Sequence, residues 1–316
     1  MKQKLSFLIC LFSSINCFGI IDYTIDENPP IDISSNRKRS PRKRAPKKSD
    51  SKNVSSKNVD AKSGGLNLEV FAHIKTLKLS TPTNPQFNKL DLGTTFTPSK
   101  DFYIDFSHWM ASSEYGLSDD HKKKKSYELG NAKVKIGLHW LNFGNSNNST
   151  QIDLYTGSIF SFKKTFLSSS YQKTFFGVET SKKIQQITLA FGTEFYFGNN
   201  PQDSEEIGFS SINLTNIGIS YVISRDIRFV FEGSIISLGE QKNLKEGERI
   251  QSSNSIIVIG PKIYLAISNN TEILLGSILK TSDVSKRDQP LLLRAKLFDF
   301  DGFYGNTYFA GLNIYL

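Results

Sequence analysis

The stretch LNLEVFAHIK, residues 66–75, repeats its chemical character every second residue. Leucine, valine, alanine and isoleucine occupy alternate positions, and asparagine, glutamate, histidine and lysine occupy most of the positions between them. Successive side chains of a β-strand point to opposite faces, so a period of two indicates a strand. The stretch is therefore predicted to be a strand with one apolar face and one polar face.

The same alternation recurs along the rest of the chain. Many of these segments are about 10 residues long, which suits a tilted strand that crosses a bilayer. We predict twelve strands, near residues 66–78, 89–97, 102–111, 131–140, 150–162, 173–181, 184–198, 211–223, 227–237, 255–266, 271–280 and 304–316.

The connections between these segments alternate in length. Short links follow the second, sixth, eighth and tenth predicted strands, and the link at 141–149 is somewhat longer and rich in Gly and Asn. The other links are mostly longer and polar: 79–88, 112–130, 163–172, 199–210, 238–254 and 281–303. Short turns on one side and long loops on the other are typical of a transmembrane barrel. The fold class predicted for residues 66–316 is therefore all-β, an up-and-down antiparallel transmembrane β-barrel of about twelve strands.

The two faces of the predicted strands differ in chemistry. The lipid-facing positions are predicted to include Phe102, Ile104, Phe106, Val134, Ile136, Leu138, Leu189, Phe191, Phe195, Phe197, Phe229, Phe231, Ile257, Ile259 and Ile263. Ionisable groups are costly against hydrocarbon, so those of opposite parity are predicted to line the lumen. They are Glu69, His73, Lys75, Asp91, Asp105, Lys133, Lys135, Asp153, Glu179, Glu194, Arg228, Glu232, Lys262 and Glu272.

The mixture of acids and bases in that lumen has two interpretations. The groups can pair across a narrow barrel as a structural network. They can also line a wet pathway whose charges select solutes. The positions of these residues in the strands are compatible with both interpretations, and the sequence does not choose between them.

Charge is concentrated at the N-terminus. The chain carries 39 Lys and Arg against 30 Asp and Glu, and residues 1–65 account for 13 of the bases and 6 of the acids. A hydrophobic content of 38% excludes a polytopic helical membrane protein, because each helical span needs ~20 largely apolar residues. Cys10 and Cys17 are the two cysteines, so residues 21–316 cannot form a disulfide framework or a thiolate zinc site.

Residues 1–19 combine two early lysines with an apolar stretch and are predicted to be a signal peptide. Lipidation of Cys17 is a second interpretation of this segment. Residues 20–65 are rich in Lys, Arg, Ser and Asn and are predicted to be a disordered basic arm in the periplasm. Such an arm is either a solvated linker or a contact for a polyanionic component of the envelope, whereas nucleic acid is a disfavoured partner for an exported chain.

Two hairpins carry a family resemblance. Residues 218–229 (GISYVISRDIRF) and 260–273 (GPKIYLAISNNTEI) both consist of a strand, a tight turn and a strand, with Tyr before the turn. They resemble hairpins of the outer-membrane barrels grouped with the phenol-degradation meta-pathway proteins and of transporter-like barrels. The resemblance covers roughly the C-terminal half and implies passage of small, including hydrophobic, molecules across the bacterial outer membrane. It implies no site residue.

Catalysis is the alternative from a different class. A barrel hydrolase needs a His oriented beside a Ser or a carboxylate, and the four histidines include His73 and His139 with lumen parity. The sequence contains no nucleotide loop, zinc spacing or calcium loop, so no catalytic residue, cofactor or metal is predicted. A third class is a structural or adhesive protein whose loops, including 119–125 and the final loop with Asp299, Asp301 and Phe303, meet an outside partner.

The function predicted from the sequence is an outer-membrane barrel that allows passage of small solutes, with outer-membrane lipid and the solutes as partners. The alternative is an anchoring protein whose basic arm contacts an envelope polyanion. An enzyme is not predicted.

Overall fold

The computed structural model describes residues 67–79, 86–115, 124–145, 147–161, 167–199, 201, 205–250, 255–282 and 288–316. The strands in these ranges are β1 (Asn67–Leu79), β2 (Gln86–Ser99), β3 (Phe102–Tyr115), β4 (Lys124–Asn145), β5 (Asn148–Ser161), β6 (Lys173–Ile184), β7 (Ile187–Gly198), β8 (Gly208–Phe209), β9 (Ser211–Ser224), β10 (Ile227–Leu238), β11 (Gln241–Lys242), β12 (Ser255–Ser268), β13 (Thr271–Lys280) and β14 (Gly305–Tyr315). A short helix, α1, spans Gln289–Leu293. Within these same ranges, no helix is long and apolar enough to span a membrane.

Twelve of the strands close into one barrel in which every neighbouring pair is antiparallel. Their order around the barrel is β1-β14-β13-β12-β10-β9-β7-β6-β5-β4-β3-β2, and β8 and β11 form a separate two-stranded sheet. The closing pair runs from Glu69 opposite Tyr315 to Leu79 opposite Gly305. Because the barrel is closed, no strand edge is left unpaired. Unpaired backbone N–H and C=O groups would be costly in the hydrocarbon of a bilayer. The predicted up-and-down barrel of about twelve strands is confirmed.

The connections of the barrel alternate as predicted. Two-residue links join β2 to β3, β4 to β5, β6 to β7, β9 to β10 and β12 to β13. Longer connections follow β1, β3, β5, β7, β10 and β13, and the last of them extends from residue 281 to residue 304. Leu68 and Leu316 exchange backbone hydrogen bonds of 3.2 and 2.7 Å, so the two ends of the barrel chain lie on the side of the short turns. This side is called the turn side and the other the loop side.

The outer surface of the barrel is apolar. Leu189, Phe197 and Ile257 are each between 44 and 49% exposed, and the same alternation continues through Tyr308 and Leu312 in β14. The structure therefore presents the outward side chains that a lipid-facing surface needs.

The inner surface changes character along the barrel axis. Between β9 and β13, the inward positions near the loop side are apolar and buried; they include Leu214, Ile236, Val258 and Ile278. Nearer the turn side, the inward positions of the same strands are ionic, with Arg228, Glu232, Lys262 and Glu272. The apolar inner patch requires a partner inside the lumen, and the connection between β13 and β14 supplies it.

The predicted signal peptide (1–19), the basic arm (20–65) and most of the loop 119–125 lie outside the described residues.

Candidate functional site

The interior of the turn side is lined by ion pairs with aromatic neighbours. Arg228 Nη2 lies 3.3 Å from Glu272 Oε2, and Tyr315 donates its hydroxyl to the same oxygen at 2.9 Å. The Arg228 guanidinium also lies 4.2 Å from the centre of the Tyr264 ring. These groups come from β10, β13, β14 and β12, so the network ties four wall strands together.

Two further lysines on the wall are paired within the wall itself. Lys262 Nζ on β12 lies 2.5 Å from Glu232 Oε2 on β10. Lys135 Nζ on β4 lies 2.7 Å from Asp105 Oδ2 on β3 and 5.0 Å from the ring centres of both Tyr103 and Tyr155. Cation–π contacts stabilise an ammonium group that has little access to water. The carboxylate of Glu179, on β6, is buried on the same side of the sheet.

The two predicted lumen histidines lie in hydrogen-bonded pairs. His139 Nδ1 lies 2.8 Å from Asp153 Oδ1, and the Gln151 amide donates to both oxygens of that carboxylate. His73 Nε2 lies 2.9 Å from Asn313 Oδ1. Side-chain amide and carboxylate partners fix the orientation of each ring, which is the usual arrangement of a structural histidine. Within the described ranges, no group of three or more His, Cys, Asp and Glu side chains could hold a metal ion.

One pairing crosses several strands of the wall. Lys133 on β4 lies 3.6 Å from Glu194 Oε1 on β7, and Tyr196 donates its hydroxyl to the second oxygen of Glu194. The Lys133 ammonium also lies 4.5 Å from the centre of the Phe175 ring. Glu194 is only 2% exposed, so this group is held deep in the barrel by charge-assisted contacts.

The remaining predicted positions lie in β1 and β2. Glu69 is opposite Tyr315 in the ladder that closes the barrel. Lys75 and Asp91 form an ion pair, and Lys89 Nζ lies 3.2 Å from the other oxygen of Asp91. Most of the fourteen predicted lumen positions are thus joined to a partner of opposite charge.

The connection between β13 and β14 folds into the barrel. Residues 288–304, called here the inner loop, contain α1 and then the sequence RAKLFDFDGFY from Arg294 to Tyr304. Ala295, Leu297 and Phe303 are completely buried. The hydroxyl of Tyr304 accepts a hydrogen bond from the Leu297 amide at 2.7 Å and donates one to the Leu292 carbonyl at 2.9 Å, which fixes the turn of the loop.

Asp301 of the inner loop binds two wall lysines. One carboxylate oxygen contacts the Lys75 ammonium, and the other lies 3.2 Å from the Lys89 ammonium. Burial alone would raise the pKa of Asp301, but the two ammonium groups overcome that effect and hold the pKa well below its ordinary value. Lys75 lies four residues before the end of β1 at Leu79, so the loop reaches roughly 13 Å along the strand from the loop side.

Asp299 of the inner loop binds the neighbouring part of the wall, formed by β3, β4 and β6. The Trp109 indole donates to Oδ1 at 2.8 Å, and the Asn131 amide donates to Oδ2 at 2.7 Å. Lys173 Nζ lies 3.7 Å from Oδ2 and is itself only 1% exposed. These three donors lie on β3, β4 and β6.

The aromatic side chains of the inner loop reach both sides of the lumen. Phe298 packs on Phe87 of β2 at a ring distance of 5.9 Å, and Phe300 meets Tyr196 of β7 edge-on at 5.1 Å. Strand β7 lies on the far side of the barrel from β1. Gly302 reaches the β12 and β13 wall, where a Cβ would lie 2.6 Å from the Ile278 side chain. The described conformation therefore closes the lumen at this level.

A second inward segment supports the inner loop. Residues 167–171 precede β6, and the Ser168 hydroxyl donates to Asn131 at 2.6 Å. The Ser170 amide binds both oxygens of Glu206 at 3.1 and 2.9 Å, and Lys296 Nζ of the inner loop lies 3.8 Å from that carboxylate.

The alternative in which Asp299, Asp301 and Phe303 meet an outside partner does not fit the structure. Phe303 is 0% and Asp301 8% exposed, because wall lysines and the apolar inner patch provide partners inside the barrel. Four residues that contact the inner loop were not among the predicted lumen positions: Lys89, Trp109, Asn131 and Lys173. All four share the parity of predicted inward positions on their strands, so parity could have identified them.

The fold is similar to known outer-membrane barrels. A structure of an outer membrane channel from Pseudomonas putida superposes with a TM-score of 0.54 at 7% identity, over 80% of this chain and 96% of that one. The NanC porin gives a TM-score of 0.45 at 10% identity, over 78% and 98%. The outer membrane phospholipase A from Escherichia coli gives 0.41 at 10% identity, over 78% and 92%. No family model matches the sequence, and no curated protein matches it. The first of these likenesses shows the barrel fold.

Proposed function

We propose that this protein is a bacterial outer-membrane channel for small solutes whose passage is controlled by the inner loop. The observation that carries the proposal is a closed barrel, apolar outside and ionic inside, in which the lumen is obstructed by a segment that is not part of the hydrogen-bonded wall. The structurally similar channel from Pseudomonas putida supports the same class of function. In this interpretation, the fourteen predicted lumen positions line the pathway, and most of them are members of ion pairs.

The chemistry of the pathway favours polar over purely hydrophobic solutes. On the turn side of the inner loop, the inward groups include Arg228, Lys262 and Lys135, each beside a carboxylate. A hydrocarbon that passed these charged groups would displace water from them and offer no hydrogen bond in return. Its passage would therefore cost desolvation free energy. The hydrophobic solutes implied by the family resemblance therefore receive no support from the charges of the wall.

A structural or anchoring role is the second candidate, and the filled lumen is the observation that favours it. If the inner loop never leaves its position, the barrel is a membrane anchor. The contact between the basic arm and an envelope polyanion stays a prediction of the sequence, since those residues lie outside the described ranges.

Conductance of refolded protein in planar bilayers separates the two candidates. The comparison is between the wild-type chain and a variant in which residues 289–303 are replaced by a short Gly-Ser linker. The wild type is expected to show a small or intermittent conductance, and the variant a larger and steadier one, because the barrel ladder is complete without the loop. Circular dichroism and the heat-dependent gel mobility of folded barrels control for refolding.

Swelling of proteoliposomes in sugars of increasing size supplies a second readout. If both proteins refold and neither conducts ions nor admits any sugar, the channel proposal is wrong and the anchoring role is favoured. Equal conductance of the two proteins would contradict control by the inner loop.

A further inference from the structure

The wall groups around Asp299 and Asp301 are hydrogen-bond donors and cations brought together by strands that do not need the loop to hold them. We infer that this part of the wall is a binding site for small solutes that combine a carboxylate with a compact apolar body, and that the inner loop occupies the site with its own side chains. This inference rests on the proposed channel function and names its class of solute.

The first part of the site binds a carboxylate through charge. Lys75 and Lys89 share a single wall carboxylate, Asp91, so the wall alone carries one positive charge in excess. Asp301 neutralises that charge and contacts both ammonium groups. The lysines are 13 and 11% exposed, and a charge in such surroundings requires a counterion. A solute carboxylate can take the same place when Asp301 leaves.

The second part of the site binds a carboxylate through directed hydrogen bonds. Trp109, Asn131 and Lys173 aim an indole N–H, an amide and an ammonium group at the two oxygens of Asp299. The two parts are adjacent, because the Lys89 ammonium lies 5.1 Å from the centre of the Trp109 ring. The wall therefore offers donors for one or two carboxylates at the level where the lumen is closed.

Apolar side chains complete the site. A narrow gap beside the inner loop is bordered by Leu77, Phe87 and Ala111 of the wall and by Leu167 of the second inward segment, together with Lys75 and Lys89. The loop fills the adjoining space with Phe298 and Phe300, which alternate with the two aspartates. The occupant is thus a set of phenyl groups next to carboxylates. A solute of the same chemistry matches both the donors and the apolar border.

The loop is a tethered competitor for such a solute. A tethered group has a high effective concentration, so a free carboxylate binds the wild-type protein only in the fraction of molecules whose loop has left the site. Weakening the loop without changing the wall is therefore expected to strengthen binding of a free carboxylate. This consequence distinguishes a solute site from a purely structural salt bridge.

Fluorescence of Trp109 can test the inference without any measurement of conductance. Trp109 and Trp140 are the two tryptophans of the chain, and Trp140 lies on the outer surface, 55% exposed. In a Trp140→Phe background the indole signal comes from inside the barrel alone. The probe is phenylacetate, and its neutral counterpart is phenylacetamide.

Three additional substitutions in this background make the test specific. Asp301→Asn is expected to bind phenylacetate at least about tenfold more tightly than the background protein, since the competitor loses its charge. Asp226→Asn, at the exposed turn between β9 and β10, is the matched control and is expected to have no effect. Lys75→Gln combined with Asp301→Asn keeps the net charge of the cluster and is expected to reverse the gain.

Two results would overturn the inference: equal affinity of the background protein and Asp301→Asn for phenylacetate, or binding of phenylacetamide as tight as that of the acid. Heat-dependent gel mobility shows for each variant that the barrel has folded. Failure of the channel proposal is recognised separately, because it appears as absent conductance, whereas the fluorescence titration reports binding in either case.

Discussion

Replacing Asp299 by Asn is predicted to release the inner loop about 100-fold more often. The carboxylate accepts hydrogen bonds from Trp109 and Asn131 and lies 3.7 Å from the Lys173 ammonium. An amide can accept only through its one oxygen, so one of the two donors loses its partner and Lys173 loses a counterion. Together these losses are worth about 3 kcal/mol, given about 1 kcal/mol for a hydrogen bond and several for a buried charge left unpaired.

Trypsin cleavage measures this change. Arg294 and Lys296 lie in the inner loop, and their side chains are 26 and 13% exposed. Cleavage at either residue requires the loop to leave the lumen, so its rate follows the open population when closing is fast. About 3 kcal/mol corresponds to a roughly 100-fold increase in that population and in the rate. Mass spectrometry identifies these two cuts among those in other loops.

A double-mutant cycle with Lys173→Gln tests the assigned cause. If the ion pair contributes, the two single substitutions and their combination should differ from additivity by about 1–2 kcal/mol. A cleavage rate for Asp299→Asn within about twofold of the wild-type rate would refute the reasoning, because a buried contact of this strength cannot be lost without a measurable effect. Additivity of the two substitutions would refute the ion pair alone.

Three other predictions follow from the same structure. The two lysines lower the pKa of Asp301 below its ordinary value of 3.8. Its contribution to holding the inner loop is therefore complete above pH 3.8 and is lost only as the pH falls through the lowered pKa. Conductance should stay constant between about pH 8 and 5 and rise only in stronger acid. Ile136→Lys, on the outer surface of β4, should destabilise the barrel in vesicles by about 2–4 kcal/mol, measured by urea unfolding. Gly302→Ala should speed tryptic cleavage of the inner loop about tenfold, since Gly302 has a φ of 80° and its Cβ would overlap Ile278 and Val258; an unchanged rate would contradict this.

The barrel itself could be predicted from the sequence because its determinants are local. The alternation of residues 66–75 places Val70 and Ile74 outside and Lys75 inside, and the structure has this arrangement. The short links, such as Arg225-Asp226, fix hairpins and therefore antiparallel neighbours. Twelve strands of this kind can hide their edges only by closing.

The closed lumen could not be predicted in the same way, because its contacts join distant parts of the chain. Asp301 and Lys75 are 226 residues apart, and no period in the sequence relates them. Charged loop residues usually face water, whereas Asp299 and Asp301 lie buried inside the barrel. One signal was available: Ile256 and Val258 have inward parity yet are apolar, as are their outward neighbours Ile257 and Ile259. A strand that is apolar on both faces requires a covering element inside the barrel.

The cations on the turn side of the lumen and those on the loop side are neutralised by different parts of the chain. This difference links the position of the inner loop to the charge that the lumen presents to a solute. On the turn side, cations are paired with carboxylates of the wall itself, as in Arg228 with Glu272 and Lys262 with Glu232. On the loop side, Lys75, Lys89 and Lys173 depend in part on two carboxylates of the inner loop. The loop can leave without breaking any hydrogen bond between strands, and its departure exposes a positively charged section of the lumen. The cations that hold the inner loop in place would then attract anions once the loop has left.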